Sequence, residues 1–100
     1  MNRTEAVQVL VREGTPYMDR IAIRREAMMK GDVELYKYSS SVAFDMAKHV
    51  DHDRLVSTVK RLNYQLISAG QEPLCSEDRY KAAQFCCIAS GRSELVEFAN

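Results

Sequence analysis

One hundred residues suffice for one hydrophobic core and not for two ordinary domains, which run at about 100 to 150 residues each. A composition that is 46% apolar and 28% charged, with fourteen Lys and Arg against fourteen Asp and Glu, excludes a disordered chain and gives no overall field to attract nucleic acid or an anionic membrane. Cys75, Cys86 and Cys87, an odd number with two adjacent, fit reduced thiols rather than a secreted disulfide framework.

The first predicted helix, residues 4–13, gathers Ala6, Val7, Leu10 and Val11 on one side, although Val7, Val9 and Val11 also alternate as a strand would. Gln8 breaks its apolar stretch, and Arg12 and Glu13 close it, so it lacks a signal-peptide core. No segment approaches the roughly 18 apolar residues of a membrane span. The expected compartment is the cytoplasm.

Gly14 reads as the first helix stop, and Thr15 with Pro16 opens a second helix over 16–30. Tyr17, Met18, Ile21, Ala22, Met28 and Met29 share one arc of it, with Arg25 in the middle. Gly31 and Asp32 stop and restart the chain into a third helix over 33–50. Its polar residues Glu34, Lys37, Ser41, Asp45 and Lys48 occupy one narrow stripe. The rest of its circumference is apolar, so it is expected at the centre of the bundle.

Asp51 opens a fourth helix over 52–69, with Leu55, Val56, Val59, Leu62, Leu66 and Ile67 as its inner stripe. Gly70 ends it. A fifth, 77–90, starts after Ser76 and encloses Cys86 and Cys87 as compact apolar residues. Gly91 ends that, and Ser93 opens a short last helix, 94–99. The expectation is an all-α fold, one compact bundle of five to six helices around a central third helix, spanning residues 1–100 as a single domain.

Two segments, Lys30 to Tyr38 and Ser90 to Phe98, share Gly, then Glu-Leu, then an aromatic. This resembles the corner of an ankyrin-type repeat over nine residues only, and Gly stops with acids near helix starts account for it.

No constellation points to chemistry. His49, Asp51, His52 and Asp53 are the ligand types a divalent metal accepts, but they straddle the expected break at Asp51, where the acids serve as cap and first-turn charges. The cysteines lack paired spacing, and the glycines are spread as stops rather than gathered in a phosphate loop. No metal, no cofactor and no catalytic residue is expected.

Recognition is the function class left. On the outer face of the fourth helix Arg54, Arg61 and Tyr64 stand with Ser57, and no acid lies between Arg54 and Gln71; such a face suits an acidic protein surface or a nucleic-acid groove. On the second helix Arg20, Arg24 and Arg25 accompany methionines, the residue types enriched in protein interfaces. The segment FDMAKHVDHDRLVSTVKRLNYQL resembles a DNA-binding helix-turn-helix, but Asp51 stands where the turn glycine belongs. The primary expectation is a non-enzymatic protein-binding module: an inhibitor, adaptor or assembly factor of the kind phages and mobile elements carry, free of membrane and open to self-association. A nucleic-acid-binding regulator is second, and a small enzyme or metal-binding protein third.

Overall fold

In the computed structural model, which describes residues 1–99, the chain forms α1 (Arg3–Lys30), α2 (Val33–Ser39), α3 (Val42–Ser68), α4 (Arg79–Ala89) and a terminal 3₁₀ helix (Ser93–Phe98). Among the described residues there is no strand. The fold is all-α, and the alternating valines of the first segment lie in helix.

Several boundaries follow the local chemistry read above. Gly31 adopts the left-handed conformation at φ 65° and ends α1, while the Asp32 carboxylate accepts from the Leu35 N–H and caps α2. Gly70 and Gly91 also have positive φ. Asp78, rather than Ser76, caps α4, accepting from the N–H groups of Tyr80 and Lys81.

Gly14 is not a stop. The two expected N-terminal helices are one, and α1 runs through Gly14, Thr15 and Pro16. A Cβ at Gly14 would lie 2.5 Å from Cys86 Sγ and 3.0 Å from Leu55 Cδ2, so this glycine is where α1, α3 and α4 come together. The Thr15 hydroxyl donates to the Val11 carbonyl at 2.9 Å. Burial of Leu10, Gly14, Tyr17, Met18 and Ile21 on one continuous face outweighs the local cost of an interior proline, about 3 kcal/mol.

The expected third helix is also redrawn. It breaks at Ser40–Ser41, and the chain does not break at Asp51. The Ser41 hydroxyl accepts from the Phe44 N–H at 3.2 Å and restarts the helix; α3 then runs uninterrupted past Asp51, whose carboxylate pairs with Arg20 instead of capping. A helix-turn-helix within residues 44–66 is therefore absent.

α1 and α3 run antiparallel. Arg3 donates to the carbonyls of Pro73 and Leu74 at 3.2 and 2.9 Å, Glu13 accepts from Thr58 and from Arg61, Arg20 pairs with Asp51 at 2.8 Å, and Arg24 with Asp45 at 3.1 Å. α4 and the 3₁₀ helix lie against one end of this pair. There Leu10, Tyr17, Met18, Ile21, Leu55, Val59, Leu62 and Leu66 close over Ala82, Ala83, Cys86, Cys87 and Leu95, each large side chain contributing about 1.5 to 3 kcal/mol. The connection to α4 is tied down by Asn63, whose amide accepts from Leu74 N–H at 2.7 Å and donates to Cys75 O at 3.0 Å.

The molecule measures 50 × 23 × 18 Å. Its long axis arises because α4 and the 3₁₀ helix cover only part of α1 and α3. The remainder, the C-terminal part of α1 with α2 and the N-terminal part of α3, forms an arm.

Candidate functional site

In the arm only Ala27, Ser39 and Phe44 are buried among residues 25–50. Phe44 is held by Tyr38, with ring centroids 6.1 Å apart, and by the Arg24 guanidinium 5.7 Å above its ring. Of the thirteen large hydrophobic side chains exposed among the described residues, eight fall between Met28 and Val50. The expectation that residues 33–50 occupy the centre of the bundle is overturned: Val42 is 76% exposed, Met46 66% and Val50 57%. A helix that is apolar nearly all round needs covering on several sides, and in the arm nothing beyond α1 and α2 is there to cover it.

Val42, Met46 and Val50 recur every four residues and so form one stripe on α3. They edge a shallow apolar groove of about 420 Å³ together with Asp45 and His49. At the α1–α2 corner Met28, Val33 and Tyr36 line a second, smaller apolar depression. Continuing along α3 at helical spacing, the stripe leads into Asp53, Ser57, Lys60 and Tyr64, all exposed, and to Ile67. The outer face of α3 is thus one surface, apolar at the arm and mixed over the packed end.

The proposed binding residues divide between outer surface and internal use. Arg54, Ser57 and Tyr64 are exposed, Tyr64 at 74%, and none makes a hydrogen bond or ion pair among the described residues. Arg61 is exposed but pairs with Glu13 at 2.9 Å; hydrogen bonds from Thr58 and Arg61 hold the Glu13 carboxyl below the usual carboxylate range. Arg20 and Arg24 brace the junction between arm and packed end through Asp51 and Asp45, and Arg24 also donates to the Ser39 carbonyl at 3.0 Å. Arg25 is half-buried. Of the methionines beside these arginines, Met18 is buried, whereas Met28 and Met29 are exposed.

Beside the apolar groove, and sharing Asp45 and His49 with it, a cavity of about 240 Å³ is lined also by Lys48, His52, Arg79 and Tyr80. His52 donates from Nε2 to the Ala99 carbonyl at 3.2 Å, which the Tyr17 hydroxyl also reaches at 2.9 Å, and its ring lies 4.4 Å from that of Tyr17. Burial pushes His52 down to about 4, with help from the charges of Arg79 and Lys48, so its ring is neutral at pH 7. Burial likewise lowers Lys48 and raises Tyr17. Arg79 donates to His49 Nδ1 at 2.6 Å, which leaves the His49 ring proton on Nε2.

His49 and His52 thus spend a ring nitrogen each on protein groups. Asp51 spends its carboxylate on Arg20. No three His, Cys, Asp or Glu side chains are grouped as a metal would require among the described residues. Cys86 and Cys87 are fully buried, and burial pushes the Cys86 thiol up to about 12 and raises Cys87, which favours the inert thiol over the nucleophilic thiolate. Among the described residues no helix is long and apolar enough to cross a membrane.

Compared with known protein families, curated proteins and solved structures, the chain matches none of them.

Sequence reasoning located Arg54, Ser57, Arg61 and Tyr64 on an outer helix face and missed the apolar stripe that precedes them on the same helix. The signal was present: residues 33–50 hold more apolar positions than one buried stripe uses. That excess reads equally as a central helix or as a surface awaiting a partner.

Proposed function

We propose that this chain is a non-enzymatic helical module, working in the cytoplasm, that acts by binding another protein through its arm. The observation that carries the reading is the concentration of exposed large apolar side chains between Met28 and Val50. Isolated exposed apolar residues are ordinary, but an apolar stripe such as Val42, Met46 and Val50 along one groove marks an interaction surface. Val42, Met46 and Val50 supply the apolar centre, adaptable because of the methionine. Arg54, Ser57, Arg61 and Tyr64, further along the same face, supply a polar and basic rim that suits a partner with an acidic surface. Arg20, Arg24 and Arg25 act behind that face: the first two set the angle at which the arm is presented. Inhibition, adaptation and assembly all use such a module, and phage or mobile-element accessory proteins are the natural setting for it.

The test is affinity capture of interacting proteins, with the double variant Val42→Glu, Met46→Glu against the double variant Arg54→Glu, Arg61→Glu. The arm variant is expected to lose its captured partner at least tenfold, about 1.4 kcal/mol, and the rim variant to lose less, in a salt-dependent way. A partner held equally by both variants and by the unaltered chain refutes the assignment of this face.

A further inference from the structure

We infer that the protein covering the arm is a second copy of this chain, packed antiparallel across the α3 stripe about a two-fold axis at Met46. The inference rests on the arm being an interface, and it names the occupant.

The stripe reads the same in both directions. Val42 and Val50 flank Met46 at equal spacing, so two α3 helices laid antiparallel bring Met46 onto Met46, and each Val42 onto the other copy's Val50, as an isologous two-fold contact requires. In an antiparallel helix pair each flank meets its own counterpart. Here one flank carries Asp45 and His49, which line the same groove as the stripe, and the two-fold operation brings Asp45 of each copy within a helical turn of the other's His49. Because Arg79 occupies His49 Nδ1, the ring proton on Nε2 is available as a donor. The Asp45 carboxylate receives a single N–H from Arg24 and has room for a second donor. Each junction therefore joins a donor to an acceptor, twice by symmetry.

Two further observations agree. The chain is formally neutral, so two copies meet without net repulsion. The arm also lacks what a second arm provides. It has one packed aromatic, Phe44, and otherwise too few buried side chains to make a core, whereas helices reach stability by stacking a second layer on an apolar face.

The experiment is sedimentation equilibrium of the full chain over a wide concentration series, with Met46→Glu as the disrupting variant and thermal melts to verify its fold. A monomer–dimer equilibrium weakened at least tenfold by Met46→Glu is expected. In a Cys75→Ser background, Met46→Cys should form an intermolecular disulfide with oxidised glutathione, two thiols giving one disulfide as the glutathione is reduced, while Tyr64→Cys on the same helix should not. A chain that sediments as a monomer throughout overturns the self-pairing and leaves the arm to a different protein, the case read by the capture experiment. A dimer that is indifferent to Met46→Glu overturns the self-pairing at this stripe, and the use of the arm by a different protein is then decided by the capture experiment.

Discussion

α1 and α3 run the length of the molecule, yet their two ends live in different surroundings. At one end α4, the 3₁₀ helix and the Leu74 loop complete a closed core, in which Gly14 leaves no space between α1 and its neighbours. At the other, only the seven-residue α2 joins them, and valines, methionines and tyrosines face outward. Helices of similar apolar content thus end up either interior or surface according to whether another element arrives to cover them. Arg20 with Asp51 and Arg24 with Asp45 mark the border between the two.

Truncation at the packed end should have the largest effect. Leu62→Ala, at a fully buried position, is expected to lose about 3 to 5 kcal/mol in a denaturant melt. Phe44→Ala in the arm, where surroundings can relax into the space, should lose nearer 2 kcal/mol. Equal losses would erase the distinction between the regions.

Acid should act on the packed end next. The folded-state pKa of His52 lies at about 4, below its ordinary 6.5, so the unfolded chain takes up the proton first. Stability from this group is complete above pH 6.5 and declines as pH falls toward 4, by up to about 3 kcal/mol. Glu13, whose pKa is also lowered, adds its own loss only below the ordinary carboxylate range. His52→Gln should therefore flatten the melting profile between pH 6.5 and 5 and leave the steeper acid limb.

Gly14→Ala tests the close approach directly. On an exposed helix the change would stabilise by up to about 1 kcal/mol; here the methyl group meets Cys86 and Leu55, and a net loss of about 1 to 3 kcal/mol is expected. A gain in melting temperature would show that α1 and α4 separate easily. The smallest effect belongs to the arm: at concentrations that keep the chain monomeric, Met46→Ser should shift stability by no more than about 0.5 kcal/mol, and a larger loss there would mean that Met46 is covered within its own chain.

Much of the fold was legible because it depends on short-range chemistry. Gly31, Gly70 and Gly91 take the conformations that end helices, and Asp32 spends its side chain on a backbone N–H group. Gly14 and Asp51 are the same residue types put to other use, one for contact across three helices and the other for Arg20, and nothing within a few residues of either distinguishes the roles. Ser41 appeared as part of a polar stripe when it was a cap. The basic rim at Arg54, Ser57, Arg61 and Tyr64 was visible as a face without acids, but Glu13, which approaches Arg61 from α1, is distant in sequence. The exposed stripe was hidden by the same rule that finds cores, since apolar periodicity reports what wants covering and not whether cover is supplied.

The packed end has a consequence for how the protein is made. Its core joins the first helix to the last elements: Cys86 approaches the Leu10 carbonyl at 3.7 Å, and Tyr17 donates to Ala99. During synthesis, α1, α2 and the first part of α3 emerge from the ribosome while α4, which follows them in the chain, is still inside the exit tunnel. For that interval the inner faces of α1 and α3 stand as open as the arm, and the nascent chain presents two apolar surfaces where the finished one presents a single arm. Copies made side by side on one message would meet in that state, with their arms already formed and their cores still waiting for α4.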